Sequence, residues 1–253
     1  MLLVGVALLA VAAFGFWRMR IARDQLHTMI GTTTSTIPEL EELRRISDEL
    51  GAKGGFRKTT EVVGAAHPRP AGVLTAELSK TPCVWYRYRV RRKYYYYRDG
   101  KRREKWETVA EHESGEGYAL IDDEGRTIGV APHGTSPEGA EKSVDSYRPE
   151  SDGAAGFLGL RLPGFSSRRG TAGHKYEEWI IRPGTRMYIL GEVHDIIGPL
   201  VIAKPQDGGH FIIAAKSEEE LRADRRRRHR LFAIGVVVAF LAGLGLLGAG
   251  IFA

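Results

Sequence analysis

The most constraining feature of this sequence is a series of short apolar runs with a two-residue period, which begins near Thr59. Gly, Pro and Asp-Gly separate the runs, and no helical pattern interrupts them. Short alternating segments between turn signals are typical of a sandwich or a small barrel. Because no helices alternate with the strands, a parallel α/β sheet is disfavoured. The sequence predicts a mainly β domain over residues 59–216.

Apolar segments without a charged residue occupy both ends of the sequence, at 1–17 and 231–253. A helix over the first segment would reach roughly 26 Å, close to the ~30 Å hydrocarbon core of a bilayer. Arginines follow the first segment and precede the second, which the positive-inside rule places in the cytoplasm. We therefore expect a multi-pass cell-membrane protein with two transmembrane helices, a cytoplasmic central domain and both termini outside. A cleaved signal peptide is the alternative for the first segment, although its positive charges come after the apolar run.

Two connecting regions complete the predicted organisation. Residues 18–58 read as a juxtamembrane linker that contains a short amphipathic helix, with Ile37, Leu40, Leu43, Ile46 and Leu50 at helical spacing. Residues 217–230 read as a basic helix that continues into the second apolar segment, so that 217–253 form one unit. Within the β domain, residues 131–174 are predicted to be a long loop.

Small residues form one possible packing face in the second apolar segment. Gly235, Ala239 and Gly243 recur every four residues, a spacing that lets helices approach closely. We expect this face to pair with the first segment or with a second copy of the chain, which would give a homo-oligomer.

The stretch from Trp85 to Trp106 predicts a basic, aromatic hairpin. Tyrosines alternate with arginines in its first arm, and Asp99-Gly100 supplies the turn. One interpretation is a hairpin with one core face and one solvated face. The other is a contact with an anionic surface, for which we single out Arg87, Arg89, Arg91, Lys101, Arg102, Arg103, Arg225, Arg226, Arg227 and Arg228. Anionic lipid ranks first as the partner and single-stranded nucleic acid lower, since stacking requires several of residues 94–97 to be exposed on one face.

No pattern in the sequence indicates catalysis. Cys83 is the only cysteine, so neither an intrachain disulfide nor a zinc site of several thiolates can form from this sequence. The histidines are scattered, and no nucleophile elbow or P-loop is present. The acidic pairs Asp122-Asp123 and Glu177-Glu178 read as turn and surface residues. We expect no catalytic residue, no metal and no cofactor.

The order of several segments resembles the GIDE-domain family, whose best-known members are mulan-type mitochondrial E3 ubiquitin ligases. The segments that carry the resemblance span roughly 59–217 and are 61–66, 81–90, Trp106, 118–130, 183–193 and 210–217. The resemblance implies a β-rich domain between two membrane spans. Relatives that ligate ubiquitin carry a zinc-binding RING after the second span, and one cysteine cannot supply its ligands. The resemblance therefore implies a RING-less member without intrinsic ligase activity.

These observations predict a non-enzymatic interaction or sensing module, anchored in the lipid bilayer. Its cytoplasmic β domain would face anionic lipid or an unidentified protein partner. The alternatives are an E3 ubiquitin ligase-like effector, through the family resemblance, and a membrane-tethered binder of single-stranded nucleic acid.

Overall fold

The computed structural model describes residues 4, 6–7, 10–18, 20, 33–132, 134–150, 170–215 and 218–251. The chain forms two compact units. One comprises Thr34–Ala215, and the other combines Met1–Thr33 with Lys216–Ala253.

The first unit is built mainly from strands, as the alternating sequence pattern predicts. Its helix and strands are, in chain order, α1 (Ile37–Glu49), β1 (Arg57–His67), β2 (Leu74–Thr75), β3 (Pro82–Cys83), β4 (Trp85–Arg98), β5 (Lys101–Glu113), β6 (Tyr118–Ile121), β7 (Thr127–Val130), β8 (Glu141–Pro149), β9 (Thr171–Ile181), β10 (Arg186–His194), β11 (Val201–Ala203) and β12 (Ile212–Ala214). The second unit contains α2 (Glu218–Ile251).

Five strands close into a small barrel. The order is β1, β6, β7, β11 and β10, and β10 pairs back onto β1 along most of its length. The β7–β11 pair is parallel, whereas the other pairs in the ring are antiparallel. The opposite edge of β10 holds β11 near one end and β12 near the other, so this strand contacts three neighbours. Closure removes free sheet edges, which would otherwise invite pairing with another chain.

The barrel interior is a continuous apolar core. Val62, Leu120, Ile189 and Ile202, each from a different strand, are fully buried in it. A side chain at Gly191 of β10 would collide with the neighbouring strand β11, because its Cβ would lie 2.6 Å from the Ala203 carbonyl oxygen. Only glycine fits this position without moving backbone.

Helix α1 confirms the short amphipathic helix that the sequence predicts. Its N-cap is Thr36, whose hydroxyl accepts from the Glu39 backbone while the Glu39 carboxylate accepts from the Thr36 N–H, a complete capping box. Ile37 and Leu40 are buried in the barrel core. Leu43, Ile46 and Leu50, which share the predicted apolar spacing, are exposed.

A second sheet of four strands lies beside the barrel within this unit, in the antiparallel order β5, β4, β9, β8. Trp85 at the start of β4 and Ile181 at the end of β9 are both buried in the barrel core cluster. Strand β4 therefore begins in the barrel core, and strand β9 ends in it. These two contacts fix the position of the sheet against the barrel.

The short β2–β3 ribbon and its turn cover one face of this sheet. Leu78 in the turn is buried against Val90 and Tyr176 of the sheet. The fully buried carboxylate of Glu178 accepts hydrogen bonds from the Leu78 N–H at 2.6 Å, the Ser79 N–H at 3.0 Å and the Ser143 hydroxyl at 2.8 Å. The sequence interpretation of Glu178 as a surface residue is therefore wrong.

The structure does not support the two predicted transmembrane helices. A spanning helix needs about 20 mostly apolar residues, and none of the helices in the described part of the chain combines that length with sufficient apolar character. The predicted spans at 1–17 and 231–253 are thus wrong, and with them the multi-pass cell-membrane topology.

The region 131–174 also differs from the long loop that its composition suggests. Residues Glu141–Pro149 form β8, which pairs with β9 at the sheet edge. Most side chains of β8 are exposed or half-buried, so the strand lacks the apolar alternation by which the other strands can be recognised. This region also contains the apolar residues Phe157, Leu158, Leu160, Leu162 and Phe165, which the sequence predicts to cap the core or to dip into the membrane interface. They lie outside the described residues.

Replacing Glu178 with Gln is expected to lower the free energy of unfolding by about 1–3 kcal/mol. Each carboxylate oxygen accepts a hydrogen bond from a backbone N–H. In Gln, an NH2 group would replace one of these oxygens, so that two hydrogen-bond donors would face each other in a buried site. Urea unfolding of Glu178→Gln beside Glu116→Gln, an exposed control, measures the difference. Equal stability of the two variants would contradict the anchoring role of Glu178.

Candidate interaction surface

The predicted hairpin is present and forms the long arm of the four-stranded sheet. Its turn places Asp99 at φ 54° and Gly100 at φ 71°, the two left-handed residues that a type I′ turn requires. The third strand, β9, pairs with β4 only as far as Tyr94. Beyond that point the described structure is a two-stranded ribbon, which we call the hairpin tip (residues 95–104).

At the base of the hairpin, arginines on both faces of the sheet form ion pairs with carboxylates. Arg87 forms an ion pair with Glu111 on the neighbouring strand and donates to the Ser136 hydroxyl at 3.1 Å. Arg92 pairs with Glu107 at 2.6 Å, on the opposite face of the sheet. The alternation of β4 thus places its cations on two faces, and each face provides carboxylates for them.

Glu177 is the centre of a cluster of cations on one face of the sheet. Its carboxylate is only 5% exposed. The four cations around it are Arg91 at 2.9 Å, Lys142 at 3.1 Å, Arg89 at 3.2 Å and Lys175 at 3.3 Å. Burial alone would raise the pKa of the Glu177 carboxyl, but hydrogen bonds from two lysines and the charge of Arg91 lower it to about 2. Glu177 is therefore a structural anion at neutral pH.

Aromatic rings make cation–π contacts with the cations of this cluster. The Arg89 guanidinium lies 5.4 Å from the ring centre of Trp179, and the Lys142 ammonium lies 5.5 Å from it. Arg91 is 5.4 Å from the ring centre of Trp106 in the same manner. Such contacts hold long cationic side chains in place as well as adding attraction. Arg87, Arg89 and Arg91, singled out as surface contacts, thus each contact a carboxylate of the same sheet.

The hairpin tip has a different electrostatic character. Lys101, Arg102 and Arg103 are exposed, and the described structure gives none of them an ion pair. Arg102 lies over the ring of Tyr95 at 3.5 Å, which orients the guanidinium but leaves its charge uncompensated. The three cations therefore form a positive patch at the end of the ribbon.

The tip also exposes aromatic rings, but not on one side. Tyr97 is 76% exposed and Tyr96 is 37% exposed, whereas Tyr94 and Tyr95 are half-buried. Since successive side chains of a strand point to opposite faces, the two exposed rings lie on opposite faces of the ribbon. This differs from the one-sided exposure that stacking on single-stranded nucleic acid requires.

The remaining predicted contact residues belong to the second unit. Arg225, Arg226, Arg227 and Arg228 lie in α2, and Arg227 is exposed. Gly235, Ala239 and Gly243 lie further along the same helix, with Gly235 exposed and Gly243 buried.

Helix α2 also approaches the N-terminal helical residues of its own unit. A Cβ at Gly15 would come within 2.8 Å of the Val236 side chain. Gly15 therefore marks a close approach between the two helical segments of this unit.

The single cysteine is fully buried in a small cluster with Ala76 and Ile180. Burial and the nearby Glu178 charge raise the pKa of the Cys83 thiol to about 11. Cys83 is thus a neutral packing residue. Within the described ranges, no group of three or more His, Cys, Asp and Glu residues is arranged to hold a metal ion.

A family model provides the class of the protein. Residues 89–248 match the GIDE model, whose description is E3 ubiquitin ligase, and the match covers more than half of the chain. The chain belongs to the GIDE-domain family. Neither the curated proteins nor the solved structures gave a match. The match begins inside β4, so that strand β1, which closes the barrel, precedes it.

Sequence reasoning missed the acidic residues that organise this surface. Glu177 and Glu178 were interpreted as surface residues, and both are buried. The one available signal was their position between Tyr176 and Trp179 in an apolar, aromatic strand, where adjacent residues must face two different layers.

Replacing Glu177 with Gln is expected to lower the free energy of unfolding at pH 7 by about 2–3 kcal/mol. The native pKa is about 2 and the ordinary value is 4.5. Because the native pKa is depressed, this stabilisation is complete above pH 4.5 and is lost as the pH falls toward 2. Urea unfolding at several pH values, with Asp207→Asn as an exposed control, should show a difference that shrinks below pH 4.5. A difference that is constant with pH would contradict the ionic role.

Proposed function

We propose that this chain is a non-enzymatic interaction module that holds an acidic protein partner at the hairpin tip. One observation supports the proposal above all, the contrast between the two ends of the hairpin. Cations at its base share carboxylates of the same sheet, whereas Lys101, Arg102 and Arg103 are exposed without a described ion pair. An acidic segment would provide the charges that the tip lacks.

The shape of the tip favours a protein partner. A two-stranded ribbon with an exposed tyrosine on each face can enter a groove or be clasped from both sides. Tyr96 and Tyr97 would supply apolar contact area with little conformational entropy to lose, and aromatic residues together with Arg are enriched in protein interfaces. The surrounding cations would then steer the approach of the partner and fix its register.

In this proposal, the chain is linked to ubiquitin through a partner protein that it recruits. The family description is E3 ubiquitin ligase. A cysteine that carries ubiquitin has to be accessible and available as a thiolate, and Cys83 is buried with a pKa of about 11. We therefore expect the chain to act beside a ubiquitin-transferring partner and not to carry ubiquitin itself.

The double variant Lys101→Glu/Arg103→Glu is expected to bind an acidic peptide at least about tenfold more weakly than the unaltered chain. The reason is that it replaces two uncompensated positive charges with negative ones. Fluorescence anisotropy of a labelled peptide rich in Glu and Tyr, at two salt concentrations, measures the affinity. Binding should weaken as salt rises, because the tip is exposed.

The matched control is Lys53→Glu/Lys204→Glu, which changes the net charge equally at two exposed lysines far along the chain from the hairpin. It should retain the affinity within about twofold. Equal losses in both variants would show a general charge effect and contradict the tip as the site. Stronger binding to vesicles that contain phosphatidylserine than to the peptide would replace the protein partner with a lipid surface.

The proposal also predicts that the purified chain transfers no ubiquitin. In a reaction with ubiquitin, activating enzyme and a panel of conjugating enzymes, no ubiquitin conjugates should form beyond those without the chain. A Cys83→Ser variant serves as the control for thiol chemistry. Conjugates that depend on the chain would overturn the non-enzymatic assignment, and their loss in Cys83→Ser would identify the carrier.

A further inference from the structure

A cavity of about 290 Å³ lies at the base of the hairpin, well away from the tip. The sheet contributes Trp85, Arg87 and Arg89 from β4 and Trp179 from β9. The facing wall is the segment 136–140, which contributes Ser136, Pro137, Gly139 and Ala140. The volume is close to the lower limit for small-molecule sites, so the cavity suits a group the size of one or two side chains.

The facing wall is held in place without a ligand. The Glu138 N–H donates to the Ile213 carbonyl at 2.8 Å, and the Ala215 N–H donates to the Glu138 carbonyl at 2.8 Å, so the segment adds to the edge of β12. The Ser136 hydroxyl accepts from Arg87 at 3.1 Å and donates to Glu113 at 2.7 Å. These bonds tie the wall to the barrel on one side and to the sheet on the other. The cavity is therefore preformed.

The lining is cationic and aromatic. Arg87 and Arg89 are the charged residues among those that line the cavity, and two Trp rings form apolar walls. The Arg89 Nε–H and the Trp85 Nε1–H are buried donors, and neither has an acceptor among the described residues. Buried donors are normally paired, and an unpaired one is a common mark of a missing ligand or water. Both donors belong to residues that line the cavity.

We infer that this cavity binds a carboxylate group of the acidic partner, either a chain terminus or an acidic side chain. Guanidinium groups pair with a planar carboxylate through parallel N–H bonds, and the Trp walls would cover its aliphatic stem. Each lining arginine already contacts a carboxylate, Glu111 or Glu177, so a monoanion suits the cavity better than a dianionic phosphate. The inference rests on the proposed function for its partner, but the cavity lies on residues separate from the tip.

Small carboxylates test the cavity without engaging the tip. N-acetylglutamine presents only a terminal carboxylate, the α-amide of N-acetylglutamate presents only a side-chain carboxylate, and N-acetylglutamine amide presents none. The full chain, labelled with ¹⁵N at tryptophan, gives indole signals for Trp17, Trp85, Trp106 and Trp179. We expect saturable shifts of the Trp85 and Trp179 signals with one or both carboxylates and no shift with the neutral amide. The carboxylate that shifts them identifies the source.

Two variants decide whether the shifts report the cavity. Ala140→Leu adds bulk inside it and should raise the dissociation constant at least tenfold, whereas Ala71→Leu, at an exposed turn, should not change it. Absence of saturable shifts, or shifts that persist in Ala140→Leu, would overturn the inference. Lys101→Glu/Arg103→Glu should leave the shifts unchanged. If that variant loses peptide binding but keeps the indole shifts, the tip and the cavity are separate sites. The proposal for the tip and the inference for the cavity can therefore fail independently.

Discussion

Two adjacent carboxylates on strand β9 hold together the two faces of the four-stranded sheet. Glu178 faces the β2–β3 ribbon and accepts its backbone N–H groups, whereas Glu177 faces the other way and gathers four cations. Both carboxylates are buried, and each is compensated by several donors, which is the condition under which charge can be kept away from water. Without them, neither the covering turn nor the cationic face would have a fixed position.

This arrangement divides the cations of the hairpin into those that contact a carboxylate of the sheet and those that do not. The arginines at the base of the hairpin contact Glu177, Glu111 and neighbouring aromatic rings, which hold their side chains in place. Beyond Tyr94, where β9 no longer pairs with β4, Lys101, Arg102 and Arg103 have no ion pair among the described residues. The family match begins at residue 89 and so includes the whole hairpin tip and most of the base.

Local chemistry accounts for the features that the sequence predicted well. Asp99-Gly100 can occupy the left-handed turn with little strain, and the tyrosine-arginine alternation of β4 has the period of a strand, so the turn and the first strand could be located from sequence. The return strand runs on to Glu113, beyond the predicted end of the hairpin at Trp106. Helix α1 was predicted from the spacing of the apolar residues Ile37, Leu40, Leu43, Ile46 and Leu50, although only the first two are buried. Strand β8 was missed because it lies at a sheet edge and has no apolar alternation. The transmembrane helices were inferred from composition and flanking charge alone, and the described helices do not bear them out.

By itself, then, the sequence determined the β-rich class, the hairpin and the first helix, because turns, caps and strand periodicity depend on neighbours a few residues apart. Membership of the GIDE family also follows from sequence, as the match shows. Only the tertiary structure decided which charges are buried. Glu177 meets Arg89 and Arg91 across some ninety positions of chain, and Leu78 meets Glu178 across a similar span. Sequence-distant contacts of this kind depend on how the strands are ordered in the sheet. They determine which cations remain for a partner.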